Sequence, residues 1–263
     1  MTSNHTRLIK KLSSVSNLTP GDVEALQRLP LIVREISGKT DVINVGDCPT
    51  YCCLLLDGML FTSVIQTDGT RQITSLHVPG DIPDLQGLHI DVMNHNVGAI
   101  CASMVAFIPH AAIYELIEKS SNIASTLWRE TLIGAAIYRE WLVNVGARSA
   151  YQRTAHLLCE VSYKMRAVGL SDGAYYHFPL TQDDLADALG LSSVHVNRTV
   201  QQLRADGLIV LQNKLLKISD WAALKNAGGF DPSYLHFTHR AVNDISQVEE
   251  FAAERPESRP ASE

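Results

Sequence analysis

The sequence predicts an α+β chain in three successive parts. An N-terminal β-roll of the double-stranded β-helix, jelly-roll-like kind leads into a long dimerisation helix, and a C-terminal winged helix-turn-helix follows. Three observations predict this order. Between Leu31 and Pro109, short β-rich runs alternate with Ser-Gly, Gly-Asp, Asp-Gly and Pro-Gly turn pairs. After Pro109 the apolar residues recur at spacings of three and four. Then "TQDDLADALGLSSVHVNRTVQQLRADGLI", Thr181 to Ile209, reads as two short helices about a turn, and "GLIVLQNKLLKISD" follows as a hairpin.

Composition sets the outer bounds. The chain has 263 residues, 46% of them hydrophobic and 19% charged, the balance of one large or two ordinary globular domains. No apolar run approaches the roughly 20 residues that span a bilayer. The N-terminus "MTSNHTRLIKKLSSVSNL" has no apolar core or small-residue cleavage site, so a cytoplasmic protein with no signal peptide and no membrane partner is expected. The net charge of −6 does not exclude nucleic acid, because residues 241–263 alone carry six acids against two arginines. The five cysteines, Cys48, Cys52, Cys53, Cys101 and Cys159, are odd in number and give no disulfide framework. Cys52 and Cys53 are adjacent on a strand and point to opposite faces, so they are expected to be buried small hydrophobes, not converging metal ligands.

Residues 1–30 form a helical lead-in, with a short helix after "LTPGD", where Thr19 caps and Pro20 fits the first turn. Residues 31–119 hold the roll, with strands in "LIVREI", "DVINVG", "YCCLLLDGMLFTSVI", "RQITSLHVPGD" and "VGAICASMVAFIP". Asp-Gly in "TDGTR" supplies the positive φ of a tight hairpin. Residues 120–147 form the long helix. There Ile123, Leu127, Gly134, Tyr138, Trp141 and Val145 draw one stripe, while Leu132, Ile133, Ala136 and Val143 make the other side apolar too. Such a helix needs two partners, its own roll and a second protomer, and the predicted dimer interface is Leu127, Gly134, Tyr138 and Trp141. Gly134 costs about 1 kcal/mol relative to alanine, which close approach of another helix would explain. Residues 148–237 hold the winged helix-turn-helix, and residues 238–263, ending in "ERPESRPASE", read as an acidic, disordered tail.

Within the helix-turn-helix, Ala186 is the small residue at the crossing and Gly190 supplies the turn. Leu185, Leu189, Leu191, Val196 and Val200 fix the angle, and Ser192 caps the second helix. Ser193, Val194, Asn197, Arg198 and Gln201 are left facing outward. Their chemistry suits a major groove. Arg198 can donate to O6 and N7 of guanine, Asn197 or Gln201 can read adenine, and Val194 can touch a thymine methyl. Ser192 and His195 lie where free amides favour phosphate.

From residue 31 to 220, this order resembles the Crp/Fnr family of bacterial transcription regulators: roll, "VPGD" at Val78–Asp81, long helix, "LTQDDLADALGLSSVHVNRTVQQLR" and wing. The resemblance implies a cyclic-nucleotide-binding-like sensor roll and a homodimer on a palindromic double-stranded DNA operator, with RNA polymerase as a further partner. It places effector contacts at Asp84, Leu85, His95, Tyr138 and Arg139. The departures matter as much. No arginine occurs between Arg71 and Arg129, so the family's cation for a cyclic phosphate is missing. Residues 1–47 contain no cysteine for an iron–sulfur cluster. His89 and His95, the candidates for a haem, are expected in a solvated loop, and His77 as a packed side chain. No cofactor is therefore expected, neither cyclic AMP nor cluster nor haem, and the effector is left unidentified. Val194 stands where family members often carry a glutamate that accepts from cytosine, so the operator is expected to be related to the family's but not identical. The alternatives are a protein-interaction adaptor or a roll-based, small-molecule-binding or metal-dependent cupin-like enzyme. The enzyme would need a His-x-His cluster that the roll lacks.

Overall fold

The computed structural model describes residues 4–171 and 175–243. Two helices lead in, α1 (His5–Val15) and α2 (Pro20–Gln27). The second is the helix expected after "LTPGD", closed by a capping box between Thr19 and Asp22. The first was not anticipated, although Leu8, Leu12 and Val15, all buried, mark an i, i+4, i+7 stripe. The roll follows as β1 (Ile32–Ile36), β2 (Asp41–Ile43), β3 (Tyr51–Asp57), β4 (Leu60–Ile65), β5 (Arg71–His77), β6 (Asn96–Ala99) and β7 (Ser103–Pro109). Its strands form two antiparallel sheets, ordered β1-β7-β3 and β2-β6-β4-β5. Between β4 and β5 the turn closes on Gly69 at φ +85°, as "TDGTR" predicted.

Alternation on β3 explains the roll's packing. Cys53 and Leu55 point inward, against Ile43, Leu60, Met93, Val97 and Val105. Cys52, Leu54 and Leu56 point outward, and are covered by Leu8, Leu12, Leu26, Ile113, Ile123 and Leu127 from the surrounding helices. Both cysteines are fully buried, and burial pushes both thiols above their ordinary value, which leaves them unreactive.

After the roll come α3 (His110–Lys119), α4 (Ser121–Ala147) and α5 (Ala150–Ala167). α5 opens on a Ser149–Gln152 capping box, which breaks the helical text at Arg148. The C-terminal part holds β8 (Tyr175–His177), α6 (Gln182–Leu189), α7 (Ser193–Ala205), β9 (Ile209–Gln212), β10 (Leu215–Ile218) and α8 (Trp221–Gly228). β8, an unanticipated strand, joins the wing as a third member, in the order β8-β10-β9. Asn213 and Lys214 both take positive φ, the geometry of a two-residue type I′ hairpin.

One apolar cluster runs without a break from the roll into this C-terminal part. It joins Phe61, Ile73 and Leu76 to Ile133, Ile137 and Trp141 of α4, and on to Leu185, Leu189, Val196 and Leu203. The start of the acidic tail departs from the expected disorder. Thr238 donates its amide to the Ser14 carbonyl at 2.8 Å and Ala241 is buried, while residues 244–263 lie outside the described residues. Among the described residues no helix is long and apolar enough to cross a membrane.

Candidate nucleic-acid interface and ligand cavity

The helix-turn-helix is built by three local devices. Thr181 accepts from the Asp184 amide at 3.1 Å, and Asp184 Oδ2 accepts in return from the Thr181 amide at 3.0 Å, which fixes the start of α6. Gly190, at φ +61°, ends α6 in a left-handed cap that a side chain would strain. Ser192 Oγ then accepts from the His195 amide at 3.3 Å and starts α7. The predicted packing set is in place: Leu185, Ala186, Leu189 and Val196 are buried, and Leu191 and Val200 pack beside them.

The outward face of α7 is polar and open. Val194 is 73% exposed, and Ser192, His195, Arg198 and Gln201 are exposed with it. Ser193 and Asn197 are half-buried, and Ser193 Oγ donates to Asp183. Arg198 makes no hydrogen bond or ion pair among the described residues. Two further exposed residues of the helix-turn-helix and its wing were not singled out by the sequence. Gln202 lies one turn beyond Arg198, and Lys214 sits at the wing tip, where the left-handed turn holds it exposed.

A cavity of about 510 Å³ opens between α1, β4, β5, the loop after β5, and α4. Of the residues expected at an effector, Leu85, His95 and Tyr138 line it, and Asp84 and Arg139 do not. Asp84 is fully buried and turned to the backbone, accepting from the Cys53 amide at 2.8 and 3.0 Å. Arg139 lies on the exposed side of α4. His95 is not in a solvated loop as expected. It is buried, its Nδ1 bonded to Asn94 at 2.8 Å and its Nε2 to Gln86 at 3.1 Å, and burial lowers its pKa, so it stays neutral at pH 7. His77 is packed as expected, bonded to Thr62 Oγ1 at 2.7 Å and held down to about 3 by burial.

The cations beside the cavity are committed elsewhere. Lys11 pairs with Asp81 at 3.0 Å and Glu130 at 3.4 Å. Lys164 of α5 reaches Asp81 at 3.3 Å and donates to the Leu76 carbonyl at 2.7 Å. Among the described residues no arginine lines the cavity. Among the described residues, no group of three or more His, Cys, Asp or Glu side chains is placed to hold a metal ion.

Asp84 carries a testable consequence. Burial pushes its carboxyl up to about 7, against the pull of the Cys53 amide. A carboxyl raised in the folded state supports folding fully below its unfolded pKa, and loses that support as pH rises to the folded value. Asp84→Asn removes the titration. Between pH 5 and pH 8 the stability of the variant relative to wild type is expected to rise by roughly 2–3 kcal/mol. Denaturant unfolding at both pH values measures it, and a constant difference between the two proteins would contradict it.

On α4 the two-faced pattern is present, but the faces are placed differently from the prediction. Leu127 is buried in the roll's outer cluster, and Trp141 donates its indole N–H to the buried Glu160 carboxylate at 3.1 Å, so both are spent inside the chain. Gly134 borders the cavity, and a Cβ there would meet nothing within 4 Å among the described residues. Tyr138 alone of the predicted four is exposed, at 44%. The outward stripe is instead Trp128, Leu132, Ala135, Arg139, Leu142 and Gly146, spaced four, three, four, three and four as in a heptad seam. Trp128 is 67% exposed, Leu132 54% and Leu142 74%, more apolar surface than a helix in water ordinarily leaves bare.

Residues 152–227, spanning α5 through α8, match the family model described as a Crp-like helix-turn-helix domain. The transcriptional activator protein FnrL of Cereibacter sphaeroides is 28% identical over 199 residues, 74% of this chain and 79% of that protein. The nitrogen fixation regulation protein FixK of Bradyrhizobium diazoefficiens is 27% identical over 220 residues, 82% of this chain and 90% of that one. Among solved structures, FixK2 from Bradyrhizobium japonicum superposes with a TM-score of 0.69 at 20% identity, over 77% of this chain and all of that one, and shares the fold.

Proposed function

We propose that this chain, a member of the Crp/Fnr family of transcription regulators, binds a palindromic operator as a homodimer and regulates transcription from it. The observation that carries this reading is Arg198, exposed on α7 beside the wing with no partner among the described residues. An arginine so placed reads guanine bidentately, and Ser192, Ser193, Val194, His195, Asn197 and Gln201 surround it as base or phosphate contacts. The wing's Lys214 adds a phosphate contact outside the groove. The apolar stripe on α4 supplies the dimer seam, and RNA polymerase is the partner that membership of the family implies. Selection from a random duplex pool tests the reading. An inverted repeat with a guanine in each half supports it, and a pool that yields no enriched duplex overturns it.

The roll's cavity is the place for an effector, with Leu85, His95 and Tyr138 on its wall. Its chemistry disfavours a cyclic phosphate. Both lysines are paired, His95 is neutral, and no arginine reaches in. A missing charge-assisted hydrogen bond costs about 1.5–3 kcal/mol, roughly ten- to a hundred-fold in affinity. Cyclic AMP is therefore expected not to bind at physiological concentration, and a micromolar dissociation constant by calorimetry would contradict this.

A further inference from the structure

Arg71 opens β5, and its guanidinium leaves the roll to grip the helix-turn-helix. Nε donates to Asp187 Oδ2 at 2.7 Å, and Nη2 donates to Asp184 Oδ1 at 2.9 Å. Its neighbour Gln72 donates to the Asp187 carbonyl at 2.6 Å. The guanidinium carbon stands 4.9 Å from the ring centroid of Phe61 on β4, which limits how it can swing. Asp184 is held from two sides, because its other oxygen closes the capping box with Thr181. One carboxylate thus sets both the start of α6 and its attachment to the roll.

The grip does not cover what α7 presents. Val194 is 73% exposed and Arg198 is open while Arg71 is engaged. α7 is fixed to α6 through the buried set around Leu185, Leu189 and Val196. Whatever orients α6 against the roll therefore orients the reading helix. A second tie runs from α5, where Lys164 reaches into the roll at Leu76 and Asp81.

We infer that Arg71 is a positioning residue for operator recognition: by holding α6 to the roll, it fixes the separation of the two reading helices and so the half-site spacing the dimer accepts. This rests on the dimeric, palindrome-reading function proposed above. Arg71 lies on β5 with its guanidinium taken up by Asp184 and Asp187. Its effect is on geometry, so it separates from affinity for a single half-site.

The test uses full-length protein and the selected operator, with its centre lengthened or shortened by one and two base pairs, plus an isolated half-site. Wild type is expected to lose about tenfold or more in affinity when the spacing departs from one helical turn. Arg71→Ala is expected to flatten that penalty to about threefold or less, with isolated half-site binding changed by less than about twofold. The conservative Arg71→Lys, which keeps a cation facing Asp184 and Asp187, is expected to retain much of the spacing discrimination that Arg71→Ala loses. Retention of the wild-type spacing profile in Arg71→Ala overturns the inference. So does an equal loss on half-site and full operator. If wild type itself shows no preference for an inverted repeat at any spacing, the proposed function falls, and the inference falls with it.

Discussion

Arg198→Ala is expected to weaken binding to the selected operator by about 1–3 kcal/mol in each half-site and to relax the preference at one guanine. A dimer applies the loss twice, so the full operator weakens by roughly thirty- to many thousand-fold if the halves add. Arg198 is open, so the change leaves no orphaned partner among the described residues. Non-specific binding should barely move, because the phosphates are held mainly by other groups. Val194 lies one turn before Arg198 on the same face, and Val194→Glu is expected to shift preference toward a cytosine-bearing half-site, since a carboxylate accepts from cytosine N4. Base-by-base competition at one fixed salt concentration measures both. Equal weakening of every sequence by Arg198→Ala would show that α7 holds phosphates instead of reading bases.

Leu142→Glu is expected to convert the protein to a monomer. Leu142 is the most exposed large apolar side chain on α4, and the proposed two-fold seam would bury it from both protomers. Burying a leucine gains about 1.5–3 kcal/mol, so losing two of them weakens the dimer by roughly a hundred- to ten-thousand-fold, before the cost of apposed carboxylates. Sedimentation across a concentration series measures the shift, and operator affinity should fall with it, because a monomer engages one half-site. Circular dichroism should be unchanged, since Leu142 is 74% exposed and lies outside the apolar clusters of the described residues. An unaltered dimer would place the seam elsewhere.

The contrast with Leu127 and Trp141 shows what the sequence could and could not reveal about this helix. Both faces of α4 carry apolar residues, so the need for two partners was legible. Which face meets which partner was not, because that depends on how the roll docks. The heptad from Trp128 to Gly146 was present in the text at regular spacing. It was masked by an equally regular stripe one position away that the roll and Glu160 consume. Much of the helix-turn-helix was legible, because its turn and second cap are local: Gly190 and Ser192 need only their near neighbours.

Long-range groups escaped the same treatment. Arg71 and Asp187 are 116 residues apart, and nothing in either neighbourhood announces the other. The same holds for Lys11, Asp81 and Lys164, whose pairing removes the free cations from the cavity wall. Asp84 was expected at an effector by its alignment, but its side chain follows the turn inward to the Cys53 amide. His95 was expected in a solvated loop, whereas Asn94 and Gln86 satisfy its ring and allow it to be buried.

Hydroxyl-radical footprinting of the wild-type protein on its selected operator, with the stoichiometry of the complex measured in parallel, tests the dimeric reading of DNA most directly. Two chains per duplex are predicted, protecting two backbone segments on one face whose centres lie about 34–36 Å, or 10–10.5 base pairs, apart. A single protected segment bound by one chain would contradict it.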